Sequence, residues 1–99
     1  SEGYIATNIV TPDAIGLSNG YPNPFNTVTS MELTMPIAGE MQVGVYNLLG
    51  QFVTTLTSGY MEAGTYNLTW DASDASSGMY FVKAQADGFT KTRKLMLVK

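Results

Sequence analysis

Apolar residues alternate along this chain between turn signals that recur roughly every eight to twelve residues. Met31, Leu33 and Met35 alternate with Ser30, Glu32 and Thr34 in the stretch 29–35. Met41, Val43 and Val45 share one face of 41–48, Tyr66, Leu68 and Trp70 one face of 65–70, and Tyr80, Val82 and Ala84 one face of 79–86. A period of two sends successive side chains to opposite faces of a strand. Nowhere does an i, i+3, i+4 apolar stripe last long enough for a helix. Three further strands are expected: a short one at 14–18, a β-branched one at 51–58, and a last one at 90–99. In that last strand Leu95 and Leu97 oppose Met96 and Val98, so both faces are expected to be buried.

The punctuation agrees. Pro36 ends the strand before it. Gly50 is expected in a left-handed turn conformation, where a residue without Cβ meets no clash. Asp87-Gly88 reads as a two-residue hairpin turn, and 62–64 and 73–78 read as loops. About seven short strands so spaced predict an all-β, immunoglobulin-like antiparallel β-sandwich. Tyr80 stands two residues before the core position Val82, where a tyrosine corner ties back the preceding loop in such domains. Trp70 falls on the fifth strand rather than the third, so the antibody pattern itself is absent.

Ninety-nine residues make one domain at most. Residues 1–13, ending in Thr-Pro-Asp, read as a linker from an upstream domain, with Ile5–Val10 as a short candidate strand. Residues 14–99 read as the folded domain. The start lacks the basic and apolar regions of a secretory signal, and the chain opens as if cut from a larger protein. No apolar run approaches the ~20 residues of a membrane helix, so no membrane insertion is expected. The sequence holds no Cys and no His, which removes disulfides, thiolate metal sites and the commonest general base. All five basic residues lie in the last 17 positions: residues 1–82 carry −7 and residues 83–99 carry +4. The acidic body argues against nucleic acid. The basic tail reads as an edge strand protected by charge or as an address.

Within this pattern the stretch Tyr21-Pro22-Asn23-Pro24-Phe25-Asn26 is the exception. Proline fixes φ and lacks an N–H, so these residues form no central strand. They are expected to cross in a polyproline-like course, with Tyr21 and Phe25 covering an open end of the core. Asn23 and Asn26 are expected to bond backbone groups left free by the turns. A rigid aromatic segment is also an inexpensive recognition surface, since little entropy is lost on binding.

Five pieces occur in order and end at the C-terminus: Pro22-Asn23-Pro24 with Phe25-Asn26, VYNLLGQ around Gly50, AGTYNLTWD, SGMYF, and the closing KLMLVK. Together they resemble the type A C-terminal sorting domains of the type IX secretion system of Bacteroidetes and related phyla, over about residues 17–99. The same core pattern occurs in Ig-like domains of flagellar hook-capping proteins. The resemblance implies a non-catalytic domain without cofactor. Such a domain carries an attached cargo from the periplasm across the outer membrane by engaging the secretion apparatus. A sortase-like peptidase then cuts the linker, here within residues 1–16, and the cargo is released or joined to surface lipopolysaccharide. Carried onto this chain, the recognition residues are Pro22, Asn23, Pro24, Phe25, Gly50 and the end segment Lys94, Leu95, Met96, Leu97, Val98 and Lys99. The end of the last strand is expected to pair with a receptor strand by edge addition.

Other readings remain beside it. Catalysis would need paired carboxylates or a Ser–Lys arrangement, and the only close acidic pair is Asp71 and Asp74, whose spacing in a Ser-rich loop is usually turn chemistry; the same pair is a weak Ca²⁺ candidate. A carbohydrate-binding module would use exposed aromatics among Tyr4, Tyr21, Tyr46, Tyr60 and Phe81, with Tyr46 and Phe81 opposite the inward residues of their strands. An assembly module would pair through sheet edges or exchange its first strand. Asn67-Leu68-Thr69 matches a glycosylation acceptor but lies in a strand.

Overall fold

A computed structural model describes residues 15–99. Tyr4, the candidate strand Ile5–Val10 and almost all of the expected linker and cut region lie outside the described residues. Seven strands run in chain order: β1 Gly16–Leu17, β2 Val28–Met35, β3 Gly39–Asn47, β4 Phe52–Met61, β5 Gly64–Asp71, β6 Gly78–Ala86 and β7 Phe89–Leu97. They form two antiparallel sheets, one ordered β1-β2-β5 and the other β4-β3-β6-β7. This is the immunoglobulin-like sandwich, and no helix occurs among the described residues.

The alternation dictates the layering. Met31, Leu33 and Met35 of β2 and Leu68 and Trp70 of β5 face Met41, Val43 and Val45 of β3, Val82 and Ala84 of β6, and Leu95 and Leu97 of β7. Leu33, Val43, Val45, Val82 and Leu95 are completely removed from solvent. Each fully buried aliphatic side chain contributes about 1.5–3 kcal/mol, so this layer dominates stability. The one buried polar side chain among the core residues, Thr29, donates to the Pro22 carbonyl at 2.8 Å, so its burial leaves no unsatisfied group.

The turns are as their residues require. Gly50 has φ +82° and Gly88 has φ +71°, and Ala86 faces Phe89 across the two-residue hairpin. The Tyr80 hydroxyl donates to the Ser76 carbonyl at 2.6 Å, which is the expected corner. Two expectations change. β7 is not buried on both faces: Leu95 and Leu97 are buried, Met96 is half-buried and Val98 is 51% exposed. The reason is that each sheet of a two-layer sandwich has only one face on the core, and Val98 lies beyond the end of β7. Residues 22–24 bend rather than run on as a polyproline helix, with cis peptide bonds at Tyr21–Pro22 and Asn23–Pro24.

Candidate functional site

The segment 21–26 leaves the smaller sheet and closes the end of the larger one. Tyr21 begins it by exchanging backbone hydrogen bonds with Ser30 of β2, at 2.8 and 3.0 Å. Ahead of it, Gly20 is buried against the core. A Cβ there would meet Leu95 Cδ2 and stand 3.1 Å from Thr29 Oγ1, so a side chain at this position would force the buried Leu95 to shift. The Thr29 hydroxyl then holds the Pro22 carbonyl. The chain is thus anchored on both sides of the first proline, and Pro22, Asn23 and Pro24 stand on the surface.

From there the segment reaches the last strand, 71 positions away in sequence. The Asn23 amide donates to the Lys94 carbonyl at 3.0 Å, and its carbonyl oxygen accepts from the Met96 N–H at 3.0 Å. The Phe25 N–H donates to the Met96 carbonyl and the Val98 N–H donates to the Phe25 carbonyl, both at 2.9 Å. Phe25 therefore adds a parallel bridge to Leu97 outside β7. Its ring, 2% exposed, packs on Trp70 with centroids 5.5 Å apart, and Trp70 meets Tyr80 edge-on at 5.0 Å. The stack Phe25–Trp70–Tyr80 carries the clamp from one sheet into the core and onto the other.

Expected and observed roles divide residue by residue. Phe25 covers the open end of the core, whereas Tyr21 is 81% exposed and covers nothing. Asn23 supplies the backbone bonds expected of it; Asn26 is exposed and supplies none of these. The outward polar groups of β7 from the Lys94 carbonyl to the Val98 N–H are already occupied by Asn23 and Phe25. A receptor strand has no free ladder groups there, so edge addition at that stretch requires displacing the clamp. The side chains that remain presented are Lys94, Val98 and Lys99, with Met96 half-buried. Lys99 is itself tied back, its N–H to Ser77 Oγ at 3.1 Å and its ammonium to the Ser73 carbonyl at 2.8 Å. Arg93 Nε donates to the Leu17 carbonyl at 2.7 Å and spans the open side between β7 and β1.

Gly50 is not brought to this clamp. It ends the turn between β3 and β4, and β6 stands between β3 and β7. Asn47 organises that turn: its side-chain oxygen accepts from the N–H groups of Leu49 and Gln51, both at 2.9 Å, and its amide donates to Gln51 Oε1. Leu48 and Leu49 are left on the tip, 67% and 82% exposed. Gly20, Thr29 and Asn47 were missed in the sequence. Asn47, three residues before a turn glycine, carried a readable signal; Gly20 and Thr29 carried none, because their neighbours come from Leu95 and Pro22.

The remaining candidates lie elsewhere. Tyr46 and Phe81 are opposite each other on the outer face of the larger sheet, and both are half-buried. The Tyr46 ring meets the edge of Phe52 at 5.8 Å, and the Lys83 ammonium lies 4.8 Å from its centroid. The ring face that a sugar would need is therefore shared with a cation. Asp71 Oδ1 accepts from the Ser73 N–H at 3.0 Å, which is turn chemistry. Asp71 and Asp74 border a groove of about 530 Å³ between Val53–Leu56 and Thr69–Ala72. Among the described residues, no three His, Cys, Asp or Glu side chains are placed to share a metal ion.

A family model described as the secretion system C-terminal sorting domain matches residues 19–99, which takes in the clamp and all strands from β2 to β7. No curated protein matches the chain.

Proposed function

The chain belongs to the secretion system C-terminal sorting domain family, and on that premise we propose that the clamp is the face it offers to the secretion apparatus. As a type IX sorting signal it marks an attached upstream cargo for the extracellular or cell-surface side. In the proposed course the cargo passes the periplasm, the domain leads it across the outer membrane without chemistry of its own, and a sortase-like peptidase cuts within residues 1–16. Residues 1–13 are then the linker and residues 14–99 the sorting domain.

The observation that carries this reading is the joining of Pro22–Phe25 to Lys94–Lys99 through Asn23 and Phe25. The two segments of the resemblance with the least alternation are one surface in the fold. That surface is stiff, since both prolines stand on a segment pinned at Thr29, Lys94 and Met96. It presents Lys94 and Lys99 beside exposed Pro22, Pro24 and Val98. A prearranged surface of this kind loses little conformational freedom on docking. Gly50 serves the fold of its own turn in this reading and touches the receptor only if the receptor reaches across β6.

The test is export of a fluorescent reporter carrying residues 1–99 at its C-terminus in a type IX-competent host. Deleting Lys94–Lys99 would remove the buried Leu95 and Leu97 and unfold the domain, so surface changes are the cleaner probe. Lys94→Glu with Lys99→Glu, and Pro24→Ala, leave the core untouched. Retention of these variants inside the cell, with normal unfolding curves, supports the reading. Export equal to that of the unchanged chain sinks it.

A further inference from the structure

A sandwich of two open sheets has four edges, and three of them here are closed to further pairing. β1 is two residues long. β7 carries Lys91, Arg93 and Lys94, and its end is occupied by Asn23 and Phe25. β4 has two register irregularities against β3, so its outward backbone groups do not repeat evenly. Short edges, charge, cover and bulges are the devices by which folded sheets avoid edge-to-edge association.

β5 has only one of them, the single charge of Asp71 at its end. It pairs with β2 in unbroken register from Gly64 to Asp71, and it contains no Lys, Arg or Pro. The Ala72 N–H donates to the Thr27 carbonyl, one step beyond the paired Val28 and Asp71. That parity turns the even-numbered residues of β5 toward β2. The N–H and C=O groups of Thr65, Asn67, Thr69 and Asp71 are left along the outer side, where no other strand lies among the described residues.

We infer that this edge pairs with the β5 edge of a second copy of the chain, antiparallel, about a two-fold axis at Leu68. The strand is self-complementary in that register. Odd-numbered residues must meet odd-numbered residues, and centring on Leu68 gives the longest overlap. Asn67 then faces Thr69 of the second copy, and Thr65 faces Asp71. Each such pair exchanges both backbone hydrogen bonds. On the core-facing side Tyr66 comes opposite Trp70 of the second copy and Leu68 opposite itself; Leu68 and Trp70 are already buried in their own core, so only the half-buried Tyr66 gains cover there and the backbone bonds carry the pairing. The only charged residue of β5, Asp71, meets a threonine, so no like charges stand opposed. The groove beside Thr69–Ala72 leaves room for the incoming side chains on that face. The two three-stranded sheets become one sheet of six.

Both copies are acidic, with a net charge of −3 each, so their mutual repulsion weakens pairing and added salt tightens it. A basic partner strand held by Asp71 and Asp74 would show the opposite salt response.

Sedimentation equilibrium of the full chain over a dilution series, at low and high salt, reads this directly. The expected result is a monomer–dimer equilibrium that tightens with salt. Asn67→Pro removes an N–H that no bond among the described residues uses and takes two bonds from the dimer, so its Kd rises about tenfold or more. Should that variant fail to fold, Thr65→Cys with Asp71→Cys decides. The chain has no other cysteine, and these positions lie about 20 Å apart within one strand, beyond the reach of an internal disulfide. On oxidation the double variant forms a covalent dimer, while each single variant stays unlinked. A monomeric mass at every concentration without cross-linking overturns the inference. So does a dimer that the double variant fails to trap, or one that loosens as salt is added.

Discussion

Asn23→Ala tests whether the clamp holds the last strand. The change removes a donor from the Lys94 carbonyl and an acceptor from the Met96 N–H, each at 3.0 Å. A hydrogen bond of this kind contributes about 0.5–1.5 kcal/mol net. Both partners lie at the surface, so water replaces part of the loss, and the expected destabilisation is about 1–2 kcal/mol. For a domain of this length that lowers Tm by roughly 5–10 °C. Urea unfolding followed by Trp70 fluorescence measures it, with an unchanged m-value showing that the folded surface is otherwise intact. Amide hydrogen exchange gives the local reading. The Met96 N–H, and after it Val98, lose protection, whereas Val82 in the centre of the larger sheet keeps its own. An unchanged midpoint together with unchanged Met96 protection would refute the clamp. Asn23→Asp keeps the acceptor for Met96 but sets a carboxylate oxygen against the Lys94 carbonyl, so it is expected to be less stable than the native chain.

Phe25→Ala empties the site against Trp70 and is expected to cost about 3–5 kcal/mol, read as a lowered urea midpoint. Gly20→Ala forces a methyl group into Leu95 and is expected to destabilise by about 1–3 kcal/mol in the same assay, although alanine is ordinarily the better residue for a folded chain. Gly50→Ala, at φ +82°, is expected to cost about 1–2 kcal/mol while leaving export of a well-folded reporter fusion intact. Tyr80→Phe removes the 2.6 Å bond to Ser76 and is expected to lower stability by about 1 kcal/mol in thermal unfolding.

The alternation of β2, β3, β5 and β6 was legible because a strand with one face on a core leaves a period of two in its own sequence. Met31, Leu33, Val43, Val45, Val82 and Ala84 are buried as that period requires. The Gly50 turn, the Asp87-Gly88 hairpin and the Tyr80 corner were legible for a related reason: their chemistry is local, and each involves residues within a few positions. β7 was misread in part. Its run of Leu95, Met96, Leu97 and Val98 looks apolar throughout, and nothing in that run tells a strand buried on both faces from one with a face toward solvent. The site was legible only as two segments of unknown relation. Asn23 is recognisable as a turn residue, but Lys94 and Met96 as its partners are not.

By itself the amino-acid sequence determined the all-β class, the strand faces, the main turns and the absence of thiol and imidazole chemistry. Each of these depends on residue type or on spacings of a few residues. The tertiary structure alone decided that Phe25 stacks on Trp70 and that Gly20 lies against Leu95. It alone decided that Pro22–Phe25 and Lys94–Lys99 form one surface, and that β5 stands at an edge of its sheet among the described residues. Those outcomes depend on which strands become neighbours, a choice made by packing two sheets face to face across dozens of intervening residues. No local period records it.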